Sequence, residues 1–198
     1  IHDAALGFIE PYASSACELM TEIIQELPEA TDMLRCEAEA LMSGIVLDTK
    51  SFTIRTGERT FDAAAVLRRH GADTAAVKRL FQSDMDDTVA KYKILQSAKL
   101  YRNLAIAVPE EPQNRVVAAS AADELLNISG VDASIVVAPD GNGGSFASAR
   151  SIGELNVQLI MEKVGGGGNR SAAAAQFAGT DVNTAVKRIY AAIDDYLG

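Results

Sequence analysis

The sequence predicts an α/β protein, with a mostly helical first half followed by a smaller α/β half built on a mixed sheet. Three observations carry this. Up to about residue 97, apolar residues recur at helical spacing between capping residues and stops. Beyond Lys99, apolar runs become short and end on proline or turn residues, as strands do. The chain has 198 residues, 48% hydrophobic and 23% charged, enough to build a core without disulfide or metal staples.

The elements follow in order. Ser14 or Ser15 caps a first helix with Leu19, Ile23, Ile24 and Leu27 on one face, stopped by Pro28. A second helix runs from about Thr31, with Met33, Leu34, Ala38, Leu41 and Met42 inward. At Gly44–Asp48 the pattern changes to an apolar run ending on an acid, then a loop through Gly57. A third helix starts near Thr60, places Phe61, Ala64, Ala65 and Leu67 inward and closes at Gly71. Asp73 caps the next helix, and Ser83 to Asp86 has capping-box spacing for one carrying Val89, Tyr92 and Leu95. In the second half, 104–108 reads as a strand and 116–126 as a helix. The turn from Pro139 to Gly144 joins strands 133–138 and 146–150 into a hairpin. Glycines 165–168 precede a helix over 171–176, and the last helix carries Val182, Val186, Ile189, Tyr190 and Ile193 as one stripe. The texture shift places a boundary near 97–102, giving segments 1–98 and 99–198.

The formal net charge is −9, which disfavours binding to long nucleic acid through general attraction. A small phosphorylated ligand can still be held by a few local donors. Cys17 and Cys36 lack the spacing of redox or zinc motifs, and a reducing cytoplasm suits them. No apolar run is long enough to span a bilayer, so no membrane contact by this chain is expected. The start at Ile1 reads as that of a trimmed domain.

Three places can carry chemistry. Asp48, at the end of an apolar segment, suits a hard divalent cation, or else caps its own loop through Thr49 and Ser51. Gly165 to Asn169, ahead of a helix start, lets backbone amides close on an anion; a flexible link is the plain alternative. Ser148 and Arg150 share one face of a strand, and the arginine's planar fork suits phosphate unless it is merely a solvated edge residue. His70, beside Gly71 at a helix end, has a structural place. There is no nucleophile elbow, Walker loop or dinucleotide fingerprint.

Read together, several segments resemble one family. Residues 10–15 (EPYASS), 44–52 (GIVLDTKSF), 55–57 with 59–61 (RTG, RTF) and 70–73 (HGAD) resemble the DHH phosphoesterase fold, in its GdpP-type branch of cyclic-di-AMP phosphodiesterases. Residues 148–151 (SARS), 156–158 (NVQ) and 165–168 (GGGG) resemble the accompanying DHH-associated domain. The resemblance covers nearly the whole chain.

It implies a manganese-dependent phosphodiesterase that hydrolyses cyclic-di-AMP to linear pApA. In that family two manganese ions, held mostly by upstream Asp and His residues, activate a bridging water for in-line attack. Only Asp48 maps onto a metal ligand here, so the fragment alone is expected to be inactive. The implied substrate-binding residues are Arg150, Ser151, Gly166, Gly167, Gly168 and Asn169. The last departs from the family's usual His, exchanging a charged donor for a neutral one. The implied ligand is a cyclic dinucleotide or a short linear one, and the implied parent is membrane-anchored with this region in the cytoplasm. Alternatives are an oligonucleotide or pApA phosphoesterase and a catalytically silent nucleotide-binding regulatory module. A homodimer through the Val186–Ile193 stripe is a further option.

Overall fold

The computed structural model describes residues 7–27 and 32–198, and its contacts divide between Gln82 and Ser83 into two compact units. The expected stop at Pro28 and start at Thr31 lie outside the described residues.

The first unit is helical. Helix α1 (Ala16–Gln25) is capped by Ser15, whose hydroxyl accepts from the Glu18 amide, and α2 spans Arg35–Asp48. Helix α3 (Glu58–Arg69) ends at His70, with Gly71 left-handed at φ +93°, and α4 (Thr74–Leu80) is capped by Asp73. Its core gathers Ala38, Met42, Ile45, Ala63, Leu67, Ala72 and Val77.

Helix α2 does not change pattern at Gly44 but continues through Asp48. The glycine is there because α1 lies close: a Cβ at Gly44 would stand 2.2 Å from Cys17 Sγ. The inward faces also differ from expectation. Phe61 is 57% exposed and stacks on Phe52, while Thr60, Ala63 and Val66 turn inward with Leu67. On α1 the fully buried residues are polar, Glu18 and Thr21. The Glu18 carboxylate accepts from the Ser14 and Thr60 hydroxyls, which ties α1 to α3. A bidentate pair from Arg59 to Glu22, at 2.7 and 2.6 Å, adds a second tie and holds the Glu22 carboxyl below its usual range.

The second unit begins with α5 (Met85–Gln96), followed by β1 (Lys99–Tyr101) and β2 (Leu104–Ala107). Then come α6 (Arg115–Leu125), β3 (Ala133–Pro139), β4 (Ser145–Ser151) and α7 (Val157–Glu162). The chain ends with β5 (Gly167–Gly168), β6 (Ala172–Phe177) and α8 (Val182–Leu197). The sheet runs β1-β2-β3-β4-β6-β5, parallel between β2 and β3 and antiparallel elsewhere, so it is mixed.

Helix α5 belongs to this unit because it packs on α6. Ile94 is fully buried with Ala105, Val117 and Ala121, whereas Val89 and Tyr92 are largely exposed. The packing break therefore falls upstream of the texture change at 97–102. The strand β1 ahead of β2 is an addition to the sequence reading; Arg102, at φ +55°, makes its tight turn.

The segment after the glycines is a correction. Residues 171–176 were expected to be helical, yet 172–177 form β6, an interior strand of the sheet. Alanine's helical preference is under 1 kcal/mol per residue, and pairing on both sides overrides it. Ala173, Ala175 and Phe177 are buried on one face, while Ala174 and Gln176 stay exposed on the other. The buried set packs with Ala147, Ala149, Ile160, Ile189 and Ile193 under α7 and α8. The α8 stripe is thus part of this core.

Candidate functional site

The opposite face of the sheet is only partly covered. Helix α6 lies over β3 and β4, with Val117, Ala118 and Ala121 packed against Val136, Ala138 and Phe146. Alongside α6, the same face over β6 and β5 stays open, and this leaves a cleft of about 490 Å3. Strand alternation decides what points into it. Register pairs Phe146 with Gln176, Ser148 with Ala174 and Arg150 with Ala172, so all six belong to this face. The glycine strand β5 forms the far wall, and Arg115 and Ala119 of α6 form the near one.

Of the residues expected to bind substrate, Arg150, Gly166, Gly167 and Gly168 come together here, with Ser148 beside them. Strand β4 is an interior strand, so Arg150 is not a solvated edge residue. Its Nε donates to Asp123 Oδ2 at 3.3 Å and its Nη1 to the Ala149 carbonyl at 2.9 Å, which fixes the guanidinium against the sheet. A pinned fork is preorganised for phosphate.

The glycines have an architectural role as well. A Cβ on Gly166 would meet the Ala174 carbonyl at 2.2 Å, and one on Gly168 would meet the Ala172 carbonyl at 2.4 Å. Only a bare backbone can lie this close to β6. Gly167 has open space where its Cβ would be. The amides of Gly165, Gly166 and Asn169 are already bonded to Glu162, Met161 and Ala172 carbonyls. The expected wrapping of amides at a helix start is therefore replaced by a short hairpin between β5 and β6.

Ser151 and Asn169 lie outside the cleft lining. The Ser151 hydroxyl accepts from the Gly153 amide, and its own amide donates to the Ser171 carbonyl. Asn169 Oδ1 accepts from the Ser171 amide, the Ser171 hydroxyl and the Ala172 amide, at 2.9 to 3.1 Å. It makes the turn between β5 and β6. Asn156 caps α7 through the Gln158 amide. These motif residues hold the cleft's frame.

Arg115 was missed by the sequence reading. Its signal was the capping Asn114 directly before it, which places it in the first turn of α6.

In the first unit, Asp48 is an exposed residue at the end of α2. After it, Lys50, Ser51 and Phe52 are all left-handed, at φ 47°, 58° and 62°. Each costs about 1–2 kcal/mol in a non-glycine residue. The buried Thr49 hydroxyl holds this turn by donating to the Ile45 carbonyl and accepting from the Phe52 amide. No group of three or more His, Cys, Asp and Glu side chains able to hold a metal occurs among the described residues. A lone carboxylate does not fit a two-metal centre, which needs several oxygen or nitrogen ligands on each ion. Cys17 and Cys36 are free thiols. No helix among the described residues is long and apolar enough to cross a membrane.

Comparison with known proteins assigns a domain family to part of the chain. A DHHA1 domain model matches residues 102–197, most of the second unit. That stretch of the chain matches the DHHA1 domain family. It is 45% identical over 99% of its length to the cyclic-di-AMP phosphodiesterase GdpP of Bacillus subtilis (strain 168). It is 46% identical over 96% to the cyclic-di-AMP phosphodiesterase PdeA of Listeria monocytogenes serotype 1/2a (strain 10403S). The chain spans 30% of the length of each. The fold is shared with an exopolyphosphatase-related protein from Bacteroides fragilis, at TM-score 0.85 and 23% identity, covering 98% of this chain and 60% of that one. The DHHA1 unit carries the cleft entirely on its own residues.

Proposed function

We propose that this chain is the ligand-gripping part of a phosphodiesterase that opens cyclic-di-AMP to linear pApA, and that alone it binds nucleotide without hydrolysing it. The observation that carries this is the convergence of Arg150, Ser148 and the glycine strand on one cleft, in a chain 45% identical to a cyclic-di-AMP phosphodiesterase over nearly its whole length. The cleft's volume is in the range of small-molecule sites. Its exposed floor of alanine methyls accepts a flat base, and Arg150 takes the phosphate.

Two features of the described residues support inactivity of the chain alone. Phosphodiester cleavage needs an activated water and charge neutralisation at the scissile phosphate. The described residues offer no metal cluster, and no carboxylate lines the cleft to act as base, Asp123 being the ion partner of Arg150. The ions, manganese in our reading, are held in the parent by residues preceding this chain. That parent is anchored in a membrane with this part in the cytoplasm.

Comparing two lengths of the protein tests the reading. The 198-residue chain is expected to bind cyclic-di-AMP in calorimetry but to release no pApA with manganese present. A longer protein with its preceding segment is expected to release pApA under the same conditions. Hydrolysis by the chain alone at an enzyme-like rate would overturn the division of labour. A longer protein that binds but stays silent would favour a regulatory module, a reading supported by the uncharged Asn169, whose oxygen is committed to its turn.

A further inference from the structure

The two arginines of the cleft are in different states. Arg150 is held by Asp123 and by the Ala149 carbonyl. Arg115 makes no hydrogen bond or ion pair with the described residues. Its guanidinium carbon lies 5.6 Å from the centre of the Phe146 ring. The nearby Asp140 carboxylate feels its charge, but Asp140 Oδ1 already accepts from the Asn142 and Gly144 amides. The ring beneath Arg115 is itself 3% exposed and fixed in the core, so the guanidinium rests on a rigid support. Its N–H donors remain unused at the cleft wall opposite the glycine strand.

A guanidinium with unused donors on a rigid aromatic is a ready anion contact, and its element differs from that of Arg150. Resting on the nucleotide-binding reading above, we infer that Arg115 is a second phosphate contact, so that α6 and β4 each grip one phosphate of a ligand carrying two. Arg150 sets the first phosphate against the sheet. Arg115 then selects dinucleotides over mononucleotides, because only a ligand with a second phosphate engages it. A charge-assisted hydrogen bond lost at such a site corresponds to roughly a tenfold or greater loss of affinity.

The test compares cyclic-di-AMP with AMP on the full chain and on Arg115→Gln, Arg115→Lys and Arg150→Gln, by calorimetry at two salt concentrations. Arg115→Gln is expected to weaken cyclic-di-AMP about tenfold while changing AMP less than about threefold, and to flatten the salt dependence for the dinucleotide. Arg115→Lys recovers part of the loss, and Arg150→Gln weakens both ligands. Equal losses for the two ligands with Arg115→Gln, or none for either, would refute the second contact and leave the nucleotide reading standing. Absence of binding to the unsubstituted chain would defeat that reading and this inference together. Thermal unfolding of Arg115→Gln controls for the ring contact, and an unchanged midpoint assigns the loss to the ligand.

Discussion

Glycines in a loop invite the explanation that a ligand needs room, and here neighbouring positions separate that from packing. At Gly166 the space for a side chain is taken by the Ala174 carbonyl and the Ala175 methyl. At Gly167 it is empty. Gly166→Ala is expected to destabilise the second unit by about 3 kcal/mol, read from the urea midpoint, since overpacking against backbone is costly. Gly167→Ala is expected to leave the midpoint within about 0.5 kcal/mol while weakening nucleotide binding severalfold. Similar midpoints for both would mean that the close approach of β5 to β6 is not what holds the glycines. The sequence marks this cluster as backbone that closes on an anion. It did not show that the nearest neighbour is the protein's own strand, because residue type alone does not say what stands opposite. Asn169 belongs to the same lesson. Its oxygen takes three hydrogen bonds in the turn, a use that depends on where β6 runs.

Among the elements, those with strong ends were legible and those decided by partners were not. Caps at Ser15 and Asp73, the αL residue Gly71 and the 133–150 hairpin are local signals, and the structure holds each. At α5 the cap is Asp84, one residue after the Ser83 that opens the capping-box spacing, and its carboxylate accepts from the Asp87 amide. The alanine strand and the continuation of α2 past Gly44 depend on distant packing, which no window of the sequence contains. The hairpin turn carries its own pH dependence. Asp140 is held below the ordinary carboxylate range by the Asn142 and Gly144 amides first, with Arg115 adding to them. A depressed folded-state pKa means the stabilisation is complete above the ordinary value near 4 and is lost as pH falls through the folded value. Asp140→Asn is therefore expected to lower Tm at pH 7, with the gap from the unsubstituted chain narrowing below about pH 4. A gap that stays constant down to about pH 2 would show that charge plays no part in holding this turn.

Taken whole, the described residues form three core clusters, one in the first unit and one on each face of the sheet in the second, and the apparent boundary depends on whether one reads texture or packing. The first strand begins at Lys99, but Ile94 of α5 is sealed against α6 and β2. A fragment of residues 83–198 is expected to unfold cooperatively, and one of 99–198 to lose about 3 kcal/mol, because removing a buried aliphatic side chain and its helix uncovers Ala105, Ala107 and Val117. Chemical denaturation of the two fragments checks this; equal stabilities would return the boundary to the strand.

The wall that β5 offers a ligand is bare main chain, identical in chemistry whatever the guest. Selectivity in such a cavity has to be written on the side chains around it, Arg115 on the helix across and Ser148, Arg150 and Gln176 on the sheet between. A change of preferred guest therefore requires new side chains at these few positions, with the main-chain wall left as it stands.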